Sequence, residues 1–385
     1  MKGNIGAWSE IYVFLKLLAD GKLNAADANL NAVPDVYYPI IKILRQETTN
    51  LREFVIDRNI NIYDGNTNEL VLSLPIADFI VKSKELFENL KCASGRSMSF
   101  PEIESFLNSI DVNSLSAIST QKADISIKVH DLCTGQKPTL GFSIKSMIGK
   151  DSTLFNASSG TNFIFKITKP SGLEFDLATF NRETFALTLN TKKSKISLRI
   201  TELVRLGFEI KFHKIQSQNL QLNLMLIDSQ LPDILANLVL LKYKKEKSSI
   251  KELLTAIKME NPLGYDSSKG HPFYEYKIKN FLVENALGMT PEAVWTGLYN
   301  ATGGMIIVKE NGDIVCYHIY NRNEFQDYLI NNTRIEQPAT SEDENNPGFP
   351  KSDNTLPKPK PYKYGWVYHE NGDMFIKLNL QIRFK

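Results

Sequence analysis

Apolar residues recur along the chain with two periods, and the change from one to the other marks out its elements. Over residues 4–20, Ile5, Trp8, Ile11, Tyr12, Leu15 and Leu18 follow one another at helical spacing, which predicts a helix closed by Gly21. Over residues 121–146 the period falls to two. Ala123, Ile125, Ile127 and Val129 alternate with Lys122, Asp124, Ser126 and Lys128. After a turn-rich link at 131–138, Leu140, Phe142 and Ile144 alternate with Gly141, Ser143 and Lys145. The pattern predicts two half-buried strands paired as a hairpin. A symmetric link would set His130 opposite Thr139, Ser126 opposite Ser143 and Asp124 opposite Lys145. A carboxylate, an ammonium and a hydroxyl then share the polar face. Taken alone, that grouping reads equally as a cross-strand salt bridge on a solvated surface.

The other segments follow the same logic. Residues 24–33 read as loop, 35–45 as a strand or short helix, and 51–75 as a hairpin turning on Asp64-Gly65. Helices are predicted over 75–90 and over 99–110, the second capped by Ser99 with Pro101 and Glu102 behind it. The stretch 174–226 reads as β-rich with amphipathic interruptions, and helices follow at 231–243, 248–259 and 272–287. Two hairpins, 303–320 and 364–384, each turn on Glu-Asn-Gly-Asp. Between them, residues 337–361 are rich in Pro, Asn, Asp, Ser and Lys and read as a long, flexible surface loop. The sum is an α+β chain, divided by this reading into 1–228 and 229–385.

Composition narrows the function classes. At 385 residues and 42% hydrophobic content the chain can bury a large core, and its length fits two or three domains. A net charge of +2 gives no global attraction for nucleic acid, so any basic surface must be local. Residues 191–199 and the Pro- and Lys-rich run 351–363, beside Tyr362 and Tyr364, are such local patches. Cys92, Cys133 and Cys316 lack paired spacing, which argues against a disulfide framework or a zinc site and fits a reducing compartment. No apolar run is long enough to span a membrane, and the first residues lack a signal-peptide core. A soluble, cytoplasmic protein is expected. The five histidines show no ligand spacing.

Three features carry candidate chemistry. Glu10 has Gly6, Ala7, Val13 and Phe14 as its helical neighbours, so its carboxylate either finds a cation, a metal or hydrogen-bond donors, or reaches out past the edge of the helix. Residues 151–162 gather hydroxyls and amides, among them Asn156, Thr161 and Asn162, around Gly160. That cluster is either a capped turn or a close-approach site for a phosphate or base. Arg96, in the loop between two predicted helices, could touch a phosphate. Asp124 and Glu10 together would supply two carboxylates for a magnesium ion, with Lys145 beside them to act on water or a phosphoryl oxygen.

An acid on one strand and x-x-Lys on the next, behind an acid-bearing helix, resembles the PD-(D/E)xK nuclease superfamily. Longer runs make the likeness more specific: residues 4–23 (NIGAWSEIYVFLKLLADGKL), 141–146 (GFSIKS), 156–165 (NASSGTNFIF) and 377–384 (KLNLQIRF). Together they resemble the HpaII family of type II restriction endonucleases across most of the chain, with 337–361 unmatched.

The resemblance implies a PD-(D/E)xK core, a mixed sheet flanked by helices, with added helical and β-hairpin elements for DNA recognition. Residues 1–228 would hold that core, and 229–385 would serve DNA recognition or dimerisation. It implies magnesium-dependent hydrolysis of both strands of double-stranded DNA at a short palindrome, CCGG, by a homodimer with a cognate DNA methyltransferase as functional partner. Asp124 would be the central metal ligand and Lys145 would act on water and the scissile phosphate. Ser143 stands where the superfamily has Glu or Asp, and Glu10 is expected to supply the displaced acid. Gln121, Asn156, Thr161, Asn162, Arg96 and Arg334 are the expected DNA contacts, and Arg205, Arg322 and Arg383 are further candidates for reading guanine. Alternatives with the same residues are a structure-directed or repair nuclease and a DNA-binding module that no longer cuts. A protein-binding adaptor without nucleic acid is a fourth.

Overall fold

Asn4 accepts a hydrogen bond from the Ala7 N–H at 2.9 Å and opens helix α1 (Ile5–Asp20). Gly21, at φ +66°, ends it by donating its N–H to the Leu17 carbonyl. The expected stripe is inside: Trp8, Ile11, Leu15 and Leu18 are fully buried, and Phe14 and Leu17 join them. Each such side chain contributes about 1.5–3 kcal/mol relative to exposure. This is a computed structural model, and the residues it describes are 1–47, 50–116, 123–132, 134–149, 151–188, 194–338 and 364–385. Gln121, Cys133 and nearly all of the 337–361 loop lie outside them.

The expected loop at 24–33 is instead β1 (Lys22–Ala26) and the start of a long strand, β2 (Ala32–Gln46). Three strands follow, β3 (Leu51–Ile56), β4 (Asn59–Asp64) and β5 (Leu70–Pro75), because a turn at Asp57 and Arg58 divides the apolar run before the Asp64 turn. Helices α2 (Ile76–Cys92) and α3 (Pro101–Ser109) stand where expected. The cap of α3 is Phe100 rather than Ser99, with the Phe100 N–H donating to Glu104 at 3.2 Å. The paired strands are β6 (Ile125–Val129) and β7 (Thr139–Ser146). Next come β8 (Thr153–Phe155) and β9 (Asn162–Thr168).

The stretch expected to be β-rich is mainly helical: α4 (Leu177–Thr188), α5 (Lys195–Arg205), a single strand β10 (Glu209–Ile215) and α6 (Gln218–Ile227). Its Ile, Thr and Phe content favours strands, but Ile196, Ile200 and Leu203 form one buried helical stripe, and packing overrides propensity. Then follow α7 (Leu231–Lys245), α8 (Ile250–Glu260), α9 (Phe273–Leu287), β11 (Gly304–Val308), β12 (Ile314–His318), α10 (Arg322–Asn332) and β13 (Thr333–Glu336). The last elements are β14 (Val367–Glu370), β15 (Asp373–Asn379) and β16 (Gln381–Phe384). The fold is α+β, and among the described residues no single helix is long and apolar enough to cross a membrane.

The chain divides into two compact units, each built from several segments rather than from one continuous stretch on either side of residue 228. Unit 1 comprises Met1–Ser152, Val283–Met289 and Leu298–Leu329. Unit 2 comprises Thr153–Leu282, Thr290–Gly297 and Ile330–Lys385. The two C-terminal hairpins are separated by this division: β11 and β12 complete the sheet of unit 1, while β14, β15 and β16 belong to unit 2. In unit 1 the strand order is β1-β12-β11-β7-β6-β2-β3-β4-β5, with β11–β7 and β1–β12 parallel. β1 also pairs antiparallel with β2, so the pairings run in a closed circuit through β12, β11, β7 and β6. Gly304 starts β11 at φ +117°, where a Cβ would strike the Tyr317 carbonyl oxygen. Unit 2 carries the sheets β10-β9-β15-β14 and β13-β16-β8.

Candidate active site

The β6–β7 hairpin has the faces that the sequence predicts and a different register. Ile125 lies opposite Phe142, Ser126 opposite Gly141 and Lys128 opposite Thr139. This is a slip of two residues from the symmetric link, and it comes from a tighter loop. The Asp131 N–H donates to the Gln136 carbonyl, the Gly135 N–H donates back to the Asp131 carbonyl, and Gly135 takes φ +73°. A two-residue slip keeps every side chain on its face. It does move the chemistry: the Asp124 N–H donates to the Phe142 carbonyl at 2.8 Å, which brings Asp124 level with Ser143 rather than with Lys145.

Asp124 is held by β7. Its Oδ2 accepts the Ile144 N–H at 2.7 Å and the Ser143 hydroxyl at 3.3 Å. Ser143 is buried, and its hydroxyl acts as a donor to Asp124. Among the described residues Asp124 Oδ1 has no hydrogen-bond partner. Lys145, two residues further on the same strand face, is half-buried.

Glu10 reaches this place from α1. Its carboxylate is pushed up to about 7 by burial and then by the charge of Asp124, while the Ser116 hydroxyl, Lys145 and Arg45 draw it down. The Ser116 Oγ donates to Glu10 Oε2 at 3.0 Å. Glu10 therefore does not reach out past the helix edge but stands among the charges of Asp124, Lys145 and Arg45, within unit 1.

Arg45 and Ser116 are site residues that the sequence reading did not nominate. Arg45, buried on β2, donates from Nε to Glu47 at 2.6 Å and from its guanidinium to the carbonyls of Ser114 and Leu115, the latter at 3.2 Å. Burial draws the Arg45 guanidinium down and Glu47 opposes that. Glu47 in turn accepts the Ser114 hydroxyl at 2.8 Å and the Asn113 N–H at 3.3 Å. The pair thus fastens the segment that presents Ser116 to Glu10. No spacing in the sequence links residues 45, 116 and 10. The one signal in the sequence is the charged pair Arg45 and Glu47 at the end of a largely apolar run.

The expected DNA contacts fare differently. Thr161 and Asn162 are buried within unit 2, with Thr161 hydrogen-bonded to Ser158 and Asn379 and Asn162 to Gln216 and Asn379. Side chains spent in this way shape the loop rather than offer a surface. Asn156 and Arg96 are exposed, the first in unit 2 and the second in unit 1. Arg334 pairs with Glu336 at 3.1 Å. Gln121 is outside the described residues. Buried His318 is pushed down to about 4 by burial, accepts the Tyr320 N–H at 3.2 Å and stacks on Tyr38, a structural role.

Among the described residues no group of three or more His, Cys, Asp or Glu gathers, so the oxygen donors offered here are two side-chain carboxylates. Two carboxylates within electrostatic reach of each other, Glu10 held proton-rich by burial and then by the charge of Asp124, fit a hard divalent cation that prefers oxygen and keeps several waters.

The sequence matches the HpaII restriction endonuclease family over residues 4–384. It is 41% identical over 383 residues to a protein described as type II restriction enzyme HpaII from Haemophilus parainfluenzae, covering 99% of this chain and 98% of that one. No solved structure matches it. A match across both units at that identity shows that the chain belongs to the HpaII family of type II restriction endonucleases, site-specific deoxyribonucleases that act on double-stranded DNA.

Proposed function

We propose that this endonuclease uses magnesium, held by Asp124 and Glu10 in a PD-(D/E)xK-type site, to hydrolyse both strands at a short palindrome, CCGG. The observation that carries the reading is the anchoring of Asp124 Oδ2 by the Ser143 hydroxyl and the Ile144 N–H, with Lys145 next along the face and Glu10 in electrostatic contact. Anchoring one oxygen orients the other, as fixed ligands require. A bound magnesium ion supplies a polarised phosphoryl oxygen and a more acidic water. Lys145, a donor-only ammonium, holds the attacking water against the scissile phosphate and offsets charge on its oxygens. Ser143 orients Asp124, and Ser116 with Arg45 orients Glu10.

Exposed Arg96 and Asn156 are read as DNA contacts, as are Arg334 and Gln121, and Thr161 and Asn162 as supports for the 156–160 loop. One site per chain and two strands to cut favour a two-fold homodimer. A companion methyltransferase would protect the host's own sites, and a cytoplasmic location follows from that task.

Digestion of plasmid DNA with and without magnesium tests the reading. Wild type should give discrete, sequence-defined fragments only with the metal, and Asp124→Ala and Lys145→Ala should give none. Undiminished cutting by Asp124→Ala overturns the site. Structure-dependent rather than sequence-defined ends indicate a repair-type nuclease instead.

A further inference from the structure

Most of the arginines that a C·G target would call for are already engaged with the chain's own carboxylates: Arg205 with Glu202 at 2.6 Å, Arg322 with Glu284 at 3.4 Å, and Arg334 and Arg383 with Glu336. A different side chain in unit 2 is held outward by a buried polar network. Gln216 joins β10 to α6, and its backbone N–H donates to the Asn162 carbonyl at 2.8 Å. Its side chain is exposed, yet Oε1 accepts from Asn162 Nδ2 at 3.1 Å and from Lys377 Nζ at 3.1 Å. An ammonium can only donate, so the atom facing it is the amide oxygen. Two donors fill that oxygen, and the remaining capacity of Gln216 is the N–H₂ group.

The network behind it is buried. Asn379 donates to Asn162 Oδ1 at 2.8 Å and to the Ser158 carbonyl at 2.8 Å, and accepts from the Thr161 hydroxyl at 3.3 Å. Thr161, Asn162, Asn379 and Lys377 are all below 10% exposed, at 0%, 1%, 1% and 7%. Burying this many polar groups yields little net stability, and its clearest product is a fixed geometry. Here the geometry it fixes is that of an exposed amide donor.

We propose that Gln216 is a specificity-determining residue whose amide N–H₂ donates to an acceptor on a base edge of the target, guanine O6 or N7 in a CCGG site. This rests on the reading that the enzyme cuts at such a palindrome. Guanine presents two adjacent acceptors in the major groove, and a side chain fixed as a donor suits that edge and no cytosine N4. It also gives buried Thr161 and Asn162 a second task beside supporting the 156–160 loop, that of fixing Gln216.

Fragment ends from wild-type digestion first define the target. Binding is then measured by fluorescence anisotropy, with calcium replacing magnesium, for wild type, Gln216→Ala and Gln216→Glu. The probes are the target duplex, a duplex with one base pair changed, and duplexes carrying 7-deazaguanine (no N7) or 2-aminopurine (no O6) at single positions. Gln216→Glu keeps acceptors for Lys377 and Asn162 and loses the N–H₂ group. It should melt at or above the wild-type temperature while its preference for target over altered duplex falls about tenfold or more. One base analogue that weakens wild type should leave Gln216→Ala unaffected. Wild-type discrimination in both variants overturns the assignment, as does an equal loss on every duplex, which marks a phosphate contact. Absence of defined fragments from wild type overturns the palindrome reading itself.

Discussion

Replacing Glu10 by Gln separates the stability of the site from its function. The Glu10 carboxylate is pushed up from 4.5 to about 7, first by burial and then by Asp124. A folded-state value above the unfolded one means that the native protein holds this proton more tightly. The associated stability is fully present below about pH 4.5 and is lost as the pH rises through about 7. At about 1.36 kcal/mol per power of ten in proton affinity, the displacement sets an upper bound of roughly 3 kcal/mol, and solvent at the exposed edge of this half-buried group brings it nearer 2. Gln keeps an oxygen for the Ser116 hydroxyl and carries no charge. Glu10→Gln should therefore match wild type in urea denaturation at pH 4.5 and exceed it by about 2–3 kcal/mol at pH 8 in EDTA. Calcium should stabilise wild type at pH 8 and close that gap, while plasmid cleavage by the variant falls at least about 100-fold. A variant no more stable than wild type at pH 8, or one that cuts at the wild-type rate, would falsify the pairing of Glu10 with Asp124.

Three further outcomes follow from the same contacts. Arg45→Met leaves Glu47 buried without its guanidinium and should cost about 3–5 kcal/mol in chemical denaturation, with much of the loss recovered in Arg45→Met/Glu47→Leu. Ser143→Ala removes one of two donors to Asp124 Oδ2 but keeps the Ile144 N–H, so single-turnover cleavage should fall only about two- to tenfold; complete loss would mean that Ser143 does more than orient. Gly304→Ala places a Cβ against the Tyr317 carbonyl at φ +117° and should lower stability by about 2–4 kcal/mol, read as a drop in melting temperature; an unchanged melt would refute the close approach.

The buried state of Thr161 and Asn162 shows where residue type alone misleads. Hydroxyls and amides gathered around a glycine suit a phosphate cradle and an internal network equally, because both need short donors and acceptors close to backbone. Only burial distinguishes them, and burial depends on strands β10 and β15, which lie far along the chain.

What the sequence determined by itself is local. The spacing of Trp8, Ile11, Leu15 and Leu18, with Asn4 and Gly21 at the ends, specifies α1. The alternation in 123–129 and 140–145 specifies two strands and their faces. The run of identities with a known family then supplies the activity. Tertiary structure decided the rest. The hairpin register turned on a four-residue loop whose backbone bonds leave no mark on the period of two, and a two-residue slip is invisible to a period of two. The near-identical turns of the two C-terminal hairpins gave no hint that one pairs parallel to β7 and the other lies in a separate unit, since hairpin signals specify the turn and not the neighbour. Likewise Glu10, Ser116, Arg45 and Asp124 meet only because α1, β2 and the hairpin converge, and charge interactions depend on distance in space, which residue order does not encode.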